Sequence, residues 1–147
     1  MTLQRTWWCV AALALAACAA GGGTMNDPAK AEAAVPPATY TGTRWVAVLE
    51  EPPDPRSTPR IEFTREGNMA GYTGCNMFSG DWSMDGATVV IGKMAMTKRL
   101  CLGPVRDIEK RFTAAVHPGS RGARKGNKLV FTSPDGDRLE FEEAAAG

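Results

Sequence analysis

Histidine is almost absent from the sequence, which has a single one, His117, among 147 residues. Imidazole is the commonest metal ligand in proteins and the usual general base near neutral pH. A single histidine argues against metal centres and acid–base sites that are built on imidazole. We therefore expect no metal site, no cofactor and no catalytic residue, and a protein that is not an enzyme.

The chain also lacks an excess of charge of either sign, with 17 basic and 16 acidic residues. One basic residue, Arg5, lies in a segment that we expect to be removed, so the mature chain would be neutral. A neutral protein has no positive field with which to attract nucleic acid. Nucleic acid is therefore not an expected partner.

Cysteine occurs four times, at positions 9, 18, 75 and 101. No two of these residues have the Cys-x-x-Cys spacing that zinc ribbons and thioredoxin-like sites require. The cysteines therefore have to be interpreted one by one, from the segments in which they lie.

The N-terminal apolar run from Trp7 to Ala17 is too short to cross a bilayer, which takes about 20 apolar residues. With Arg5 before it, the run has the layout of a secretory signal sequence over residues 1–17. It ends in Leu15-Ala16-Ala17-Cys18. This ending resembles the lipobox of bacterial lipoproteins; the alternative is a plain signal peptide with a chance cysteine.

The lipobox resemblance implies that Cys18 becomes the first residue and carries acyl chains, which would make the membrane a partner. Several acyl chains on one residue anchor a protein stably, whereas a single chain does so only marginally. Residue 19 is alanine, not the aspartate that usually retains such proteins at the inner membrane. The resemblance therefore implies the outer membrane of a Gram-negative bacterium, with the protein facing the periplasm.

Residues 18–38 are mostly alanine, glycine and proline, with almost no large apolar side chain. Such a segment cannot bury enough surface to offset the entropy lost on ordering. We expect a flexible tether here, a folded domain over residues 39–143 and a frayed tail over residues 144–147.

Within the domain, apolar residues recur at every second position, as in Ile61 and Phe63, and tight-turn residues separate these runs. One segment, about 104–116, has helical spacing instead, and residues 120–127 are predicted to be a basic loop. Strands joined by tight turns pair antiparallel. We expect an α+β, mostly antiparallel fold: a small, partly open β-barrel of about seven or eight short strands with one helix.

A set of motifs in the domain resembles the META domain of the HslJ-like family of bacterial envelope proteins. The resemblance implies a cracked barrel and links to heat shock, motility and drug tolerance, but no settled activity and no catalytic residues. The residues that carry it most plainly are Gly74, Cys75, Asn76, Gly80, Thr97 and Cys101, and the pattern continues with Glu109 and Phe112 in the helix.

Cys75 and Cys101 would be the pair that remains after Cys9 is cleaved off and Cys18 is acylated. An oxidising compartment favours a disulfide between them. Two buried free thiols, or a reactive thiol with its pKa lowered by Lys98 and Arg99, are the alternatives.

The other candidate sites each have a structural alternative. Asn76 is interpreted as a turn-capping residue rather than a catalytic partner of Cys75. Trp82, Phe78 and Met84 share one strand face and either line a ligand mouth or fill the core. Four methionines either form a copper site or fill the barrel interior: Met77, Met84, Met94 and Met96. Six basic residues either meet anionic lipid headgroups or form a solvated face: Lys98, Arg99, Arg121, Arg124, Lys125 and Lys128.

Together these observations predict a non-enzymatic, membrane-anchored periplasmic lipoprotein that acts by binding, as an envelope-stress or assembly accessory. Its partner would be an envelope protein or a hydrophobic ligand. A carrier of a hydrophobic ligand or lipid in the barrel interior is the alternative, and a thiol-based enzyme is a third.

Overall fold

The computed structural model of the chain describes residues 40–145. The predicted signal sequence, Cys18 and the tether over residues 18–38 lie outside the described residues. None of the helices in the described part has both the length and the hydropathy that a membrane crossing requires.

The described residues form eight strands, one α-helix and a short 3-10 turn. In chain order they are β1 Arg44–Ala47, the 3-10 turn Pro55–Ser57, β2 Arg60–Phe63, β3 Asn68–Tyr72, β4 Met77–Asp85, β5 Thr88–Met96, α1 Pro104–Ala115, β6 Arg121–Lys125, β7 Lys128–Thr132 and β8 Arg138–Glu143.

The strands form an antiparallel barrel in which each strand pairs with the next and β8 pairs with β1. The predicted small barrel with one helix is thus confirmed. Its ring of strand pairs is complete rather than partly open. The weakest point is the β5–β6 pairing, which spans only Thr88–Val90 because β5 extends well beyond the shorter β6.

Alternation along the strands fills the barrel with large apolar side chains, as the sequence predicted. Phe63 lies edge-on to Trp82 with ring centroids 5.0 Å apart, and Phe131 lies edge-on to Phe141 at 5.9 Å. Edge-to-face packing is favourable for aromatic rings. The core therefore lies inside the barrel and is largely aromatic.

Helix α1 covers one mouth of this barrel. Pro104 stands at its first turn, where the missing N–H costs nothing. Its buried face presents Ile108, Phe112 and Ala115. The ring of Phe112 lies 5.2 Å from that of Phe78, so the helix is held by apolar contact with the barrel core.

Strand direction gives the barrel two different ends. The end that carries α1, here called the helical end, contains the connections 48–59, 73–76, 97–120 and 133–137. The other, the hairpin end, contains the turns 64–67, 86–87 and 126–127, together with Tyr40 and Ala145.

One local prediction is wrong. Residues 120–127 were expected to be a loop, but most of them form β6, whose one buried strand position is Gly122. Since glycine and basic residues have low strand propensity, the pattern gave no strand signal there.

Candidate functional site: the Gly-Cys-Asn corner

The turn between β3 and β4, residues 73–76, lies at the helical end and is buried throughout. Thr73 closes it: its backbone N–H donates to Asn76 O at 2.8 Å, and its Oγ1 accepts from the backbone N–H of Asn76 at 2.9 Å. The turn cap is thus the side chain of Thr73. The predicted capping role for Asn76 is wrong, because the Asn76 side chain bonds elsewhere.

Asn76 is 3% exposed and joins three parts of the molecule. Its Oδ1 accepts from Thr97 Oγ1 at 2.8 Å and from the backbone N–H of Arg99 at 2.7 Å. Its Nδ2 donates to Glu109 Oε1 at 2.7 Å and to Arg99 O at 3.2 Å. The amide therefore uses both its acceptor and its donor capacity to tie the turn between β3 and β4 to α1 and to the loop after β5.

Cys75 and Cys101 lie at disulfide-bonding distance, with Cα atoms 6.1 Å apart across a separation of 26 residues. This is the pairing that the sequence predicted. The bond holds the loop of residues 97–103, here called the stapled loop, against the buried turn. In the chain-entropy model, closing a loop of this length stabilises the fold by about 3–4 kcal/mol.

The remaining motif residues also hold this corner. Gly74 has φ +100°, and a Cβ there would lie 2.7 Å from both Ser57 O and Ile108 Cγ2. A Cβ on Gly80 would lie 2.6 Å from Lys93 O, so β4 and β5 approach closely at that point. The Oγ1 of Thr97 accepts from the backbone N–H of Met77 at 3.1 Å.

Glu109 belongs to the helix part of the family pattern, but the sequence did not reveal its role in this network. Its Oε1 accepts from Asn76 Nδ2 and, at 3.0 Å, from Thr73 Oγ1. Apart from the family pattern, its only signal in the sequence is its place next to the buried residue Ile108 on α1. On a helical pattern, that position is equally compatible with a solvated charge.

Among residues 40–145, no histidine hydrogen bond or metal-ligand group is found at the corner. The only histidine, His117, contacts its neighbour instead: Nδ1 lies 3.0 Å from Pro118 O. Residues 40–145 contain no group of three histidine, cysteine or acidic side chains placed to hold a metal ion. The polar groups of the corner are bonded to one another, which is the arrangement of a structural joint.

The three predicted ligand-facing residues belong to the core. Phe78 and Trp82 are buried among other aromatic rings, and Met84 packs against them while half-buried. Bulky alternation along a strand indicates an inward face, but it does not distinguish a filled barrel from one with a cavity. These three side chains therefore help to fill the interior of the barrel.

The predicted basic cluster is divided by ion pairs. Arg124 Nη2 lies 2.6 Å from Glu143, Lys128 Nζ lies 2.6 Å from Glu140, and Arg121 pairs with Asp85. Lys128 is exposed. Its hydrogen bond to Glu140, together with the negative charge of that residue, raises the pKa of the Lys128 amine. Three of the basic residues therefore belong to paired strand surfaces.

The sequence of the chain matches the META domain over residues 38–146. No curated protein matches the chain.

Two solved structures resemble the fold. An NMR structure of a protein from Burkholderia xenovorans has a TM-score of 0.58 and 16% identity, and the match covers 74% of this chain and 86% of that one. A second protein solved by NMR has a TM-score of 0.56 and 20% identity, with 71% and 91% covered. At these identities the likeness shows the fold alone.

Proposed function

Because the chain belongs to the META-domain family, we propose that it is a non-enzymatic, lipid-anchored protein of the bacterial envelope that acts by binding. It would sit at the outer membrane, face the periplasm and serve as an envelope-stress or assembly accessory. The acyl chains on Cys18 would hold it at the membrane, and the barrel would present a surface to an envelope partner.

This proposal rests on one observation: the polar groups of the Gly-Cys-Asn corner form hydrogen bonds with one another. Thr73, Asn76, Thr97 and Glu109 bond to one another, and Cys75 faces Cys101 at bonding distance. The family motif is then a joint that positions surface elements. Function is left to the surface of the barrel and to the N-terminal anchor.

The packing of the interior favours binding on the surface over carriage of a ligand inside. Trp45, Phe63, Phe112, Phe131 and Phe141 are fully buried and fill the barrel. Burying a hydrophobic ligand there would require displacement of these rings. We therefore keep the surface-binding role as the single proposal.

Metabolic labelling with an alkyne fatty acid tests the anchor. Cells would express the wild-type chain, Cys18→Ser and the matched control Cys9→Ser. We expect label on the wild type and on Cys9→Ser, and none on Cys18→Ser, because only Cys18 ends the lipobox.

Membrane fractionation of the same cells completes the test. The labelled proteins should sediment with the outer membrane. Label on Cys18→Ser would mean that another residue carries the acyl chain, and loss of label from Cys9→Ser would contradict the assignment of the lipobox.

A further inference from the structure

Strand β5 has an edge that no strand of residues 40–145 covers. It pairs with β4 on both sides of a bulge, over Thr88–Ile91 and over Met94–Met96, but with β6 only over Thr88–Val90. One more residue is bonded on that side: Ile91 donates to Ser120 O at 3.0 Å and accepts from Gly119 N–H at 2.9 Å. From residue 92 to residue 96, β5 has only β4 as a neighbour within the described chain.

Alternation tells which backbone groups face this edge. The N–H of Thr97 donates to Met77 O, across to β4, at 3.0 Å. Successive residues of an antiparallel strand point their N–H and C=O groups to opposite sides. The groups of Met96 and Met94 therefore face away from β4, and no hydrogen bond to them is found among residues 40–145.

Apolar side chains are exposed beside the edge, in the stapled loop. Leu100 is 87% exposed and Leu102 is 71% exposed. The corner fixes this exposure. Asn76 forms hydrogen bonds to the backbone of Arg99, and Cys75 forms the disulfide with Cys101. The leucines on either side of Cys101 therefore point outward. Exposed apolar residues that are held in place typically mark interaction sites.

The segment that carries the edge is positively charged, although the acidic Asp81 of β4 lies beside Gly92. Between residues 86 and 106 the sequence has no aspartate or glutamate, but it has Lys93, Lys98, Arg99 and Arg106. The first three are exposed and form no salt bridge with any described residue. The edge is thus complementary to an acidic partner.

We propose that the β5 edge, residues 92–96, binds an extended segment of a partner protein as an added strand. Backbone hydrogen bonds to Met94 and Met96 would supply affinity. Apolar side chains of the segment would meet Leu100 and Leu102, and acidic ones would meet Lys93 and Lys98. The inference deepens the proposed binding role and rests on it, by naming the site and the chemistry of the partner.

Three other occupants fit the edge less well. A lipid surface cannot satisfy an open row of backbone groups. A second copy would bring the same cations, Lys93, Lys98 and Arg99, face to face. The N-terminal segment joins the barrel through Tyr40, at the hairpin end and away from this edge.

A short fluorescent peptide of alternating valine and glutamate is the probe, and the matching valine–lysine peptide is its control. Anisotropy with the full chain should show binding of the acidic peptide only. Met94→Pro removes the edge N–H, a group that the β4 pairing does not use, and affinity should fall about tenfold, the loss expected for one backbone hydrogen bond. The double variant Lys93→Glu, Lys98→Glu should also weaken binding, whereas Lys125→Glu at the hairpin end should not.

Amide hydrogen exchange of the unmodified chain keeps the test decisive if Met94→Pro fails to fold. The acidic peptide should slow exchange at Met94 and Met96. Equal binding of both peptides, or exchange at these amides that the peptide leaves unchanged, would overturn the inference. Protection of both amides in the absence of peptide would also overturn it. Such protection would come from a second copy in a dimer, from the chain's own N-terminal segment in the monomer, or from phosphatidylglycerol vesicles. The labelling of Cys18 is independent of all these outcomes.

Discussion

The barrel interior and the Gly-Cys-Asn corner are built on opposite principles. The interior is apolar and redundant, with many large side chains such as Trp45 and Phe131 sharing one core. The corner is polar and specific, and its bonds join residues as far apart as Thr73 and Glu109. The contrast teaches that the interior determines the fold, whereas the corner determines where one loop lies on that fold.

The largest effect is expected in the interior, from Phe112→Ala. Phe112 is fully buried and contacts the rings of Phe78 and Phe141. Removing a buried phenylalanine costs about 3–5 kcal/mol. Urea unfolding should show this loss, while Val48→Ala, at a site that is 43% exposed, should change stability by about 0.5 kcal/mol or less. A loss of the same size in both variants would remove the distinction between core and surface.

Replacing both corner cysteines with serine should come next. The free energy of unfolding should fall by about 3–4 kcal/mol, since the 26-residue loop is no longer closed in the unfolded chain. The far-UV circular dichroism spectrum should keep its strand signature. Intact mass before and after reduction checks the premise, and a wild-type chain whose two thiols alkylate without reductant would contradict it.

Asn76→Ala should have a smaller effect, a loss of about 1–3 kcal/mol, because it leaves buried partners such as Glu109 without a donor. The matched control is Asn127→Ala, at an exposed position of the hairpin end. Chemical denaturation of both variants compares them. An unchanged stability for Asn76→Ala would show that the network does not hold the corner.

Thr97→Val should have the smallest effect of the four, about 1 kcal/mol, since it keeps the shape of the residue and removes the hydrogen bond to Asn76 and the exposed one from Met77 N–H. Thr88→Val, at the opposite end of β5 and outside the network, is the control. Thermal unfolding should separate the two. Equal melting temperatures would place Thr97 outside the set of residues that fix the loop.

The interior was predictable from sequence because its signal is local. Alternation placed Ile61, Phe63, Leu139 and Phe141 inward, and helical spacing found α1 within one residue of its observed end. The strand β6 escaped because Gly122 stands at its buried position and gives no apolar signal. Periodicity predicts an element only where bulky residues mark the buried face.

The corner was predictable only in part. The pairing of Cys75 with Cys101 followed from cysteine count and compartment, but the bonds of Asn76 depend on where α1 and the stapled loop come to lie. No local pattern gives Glu109 as a partner of a residue 33 positions earlier. Similarly, whether Phe78 and Trp82 fill the interior or line a cavity depends on the volumes of the side chains that face them. The sequence alone does not show which side chains those are.

Amide exchange in Asn76→Ala tests most directly the central claim that the corner positions the stapled loop and is not required for the barrel. In the wild type the Arg99 amide donates to Asn76 Oδ1 at 2.7 Å, and the Ile91 amide donates to Ser120 O at 3.0 Å within the barrel. We predict that Asn76→Ala accelerates exchange at Arg99 far more than at Ile91. Equal acceleration at both amides, or none at Arg99, would contradict the account.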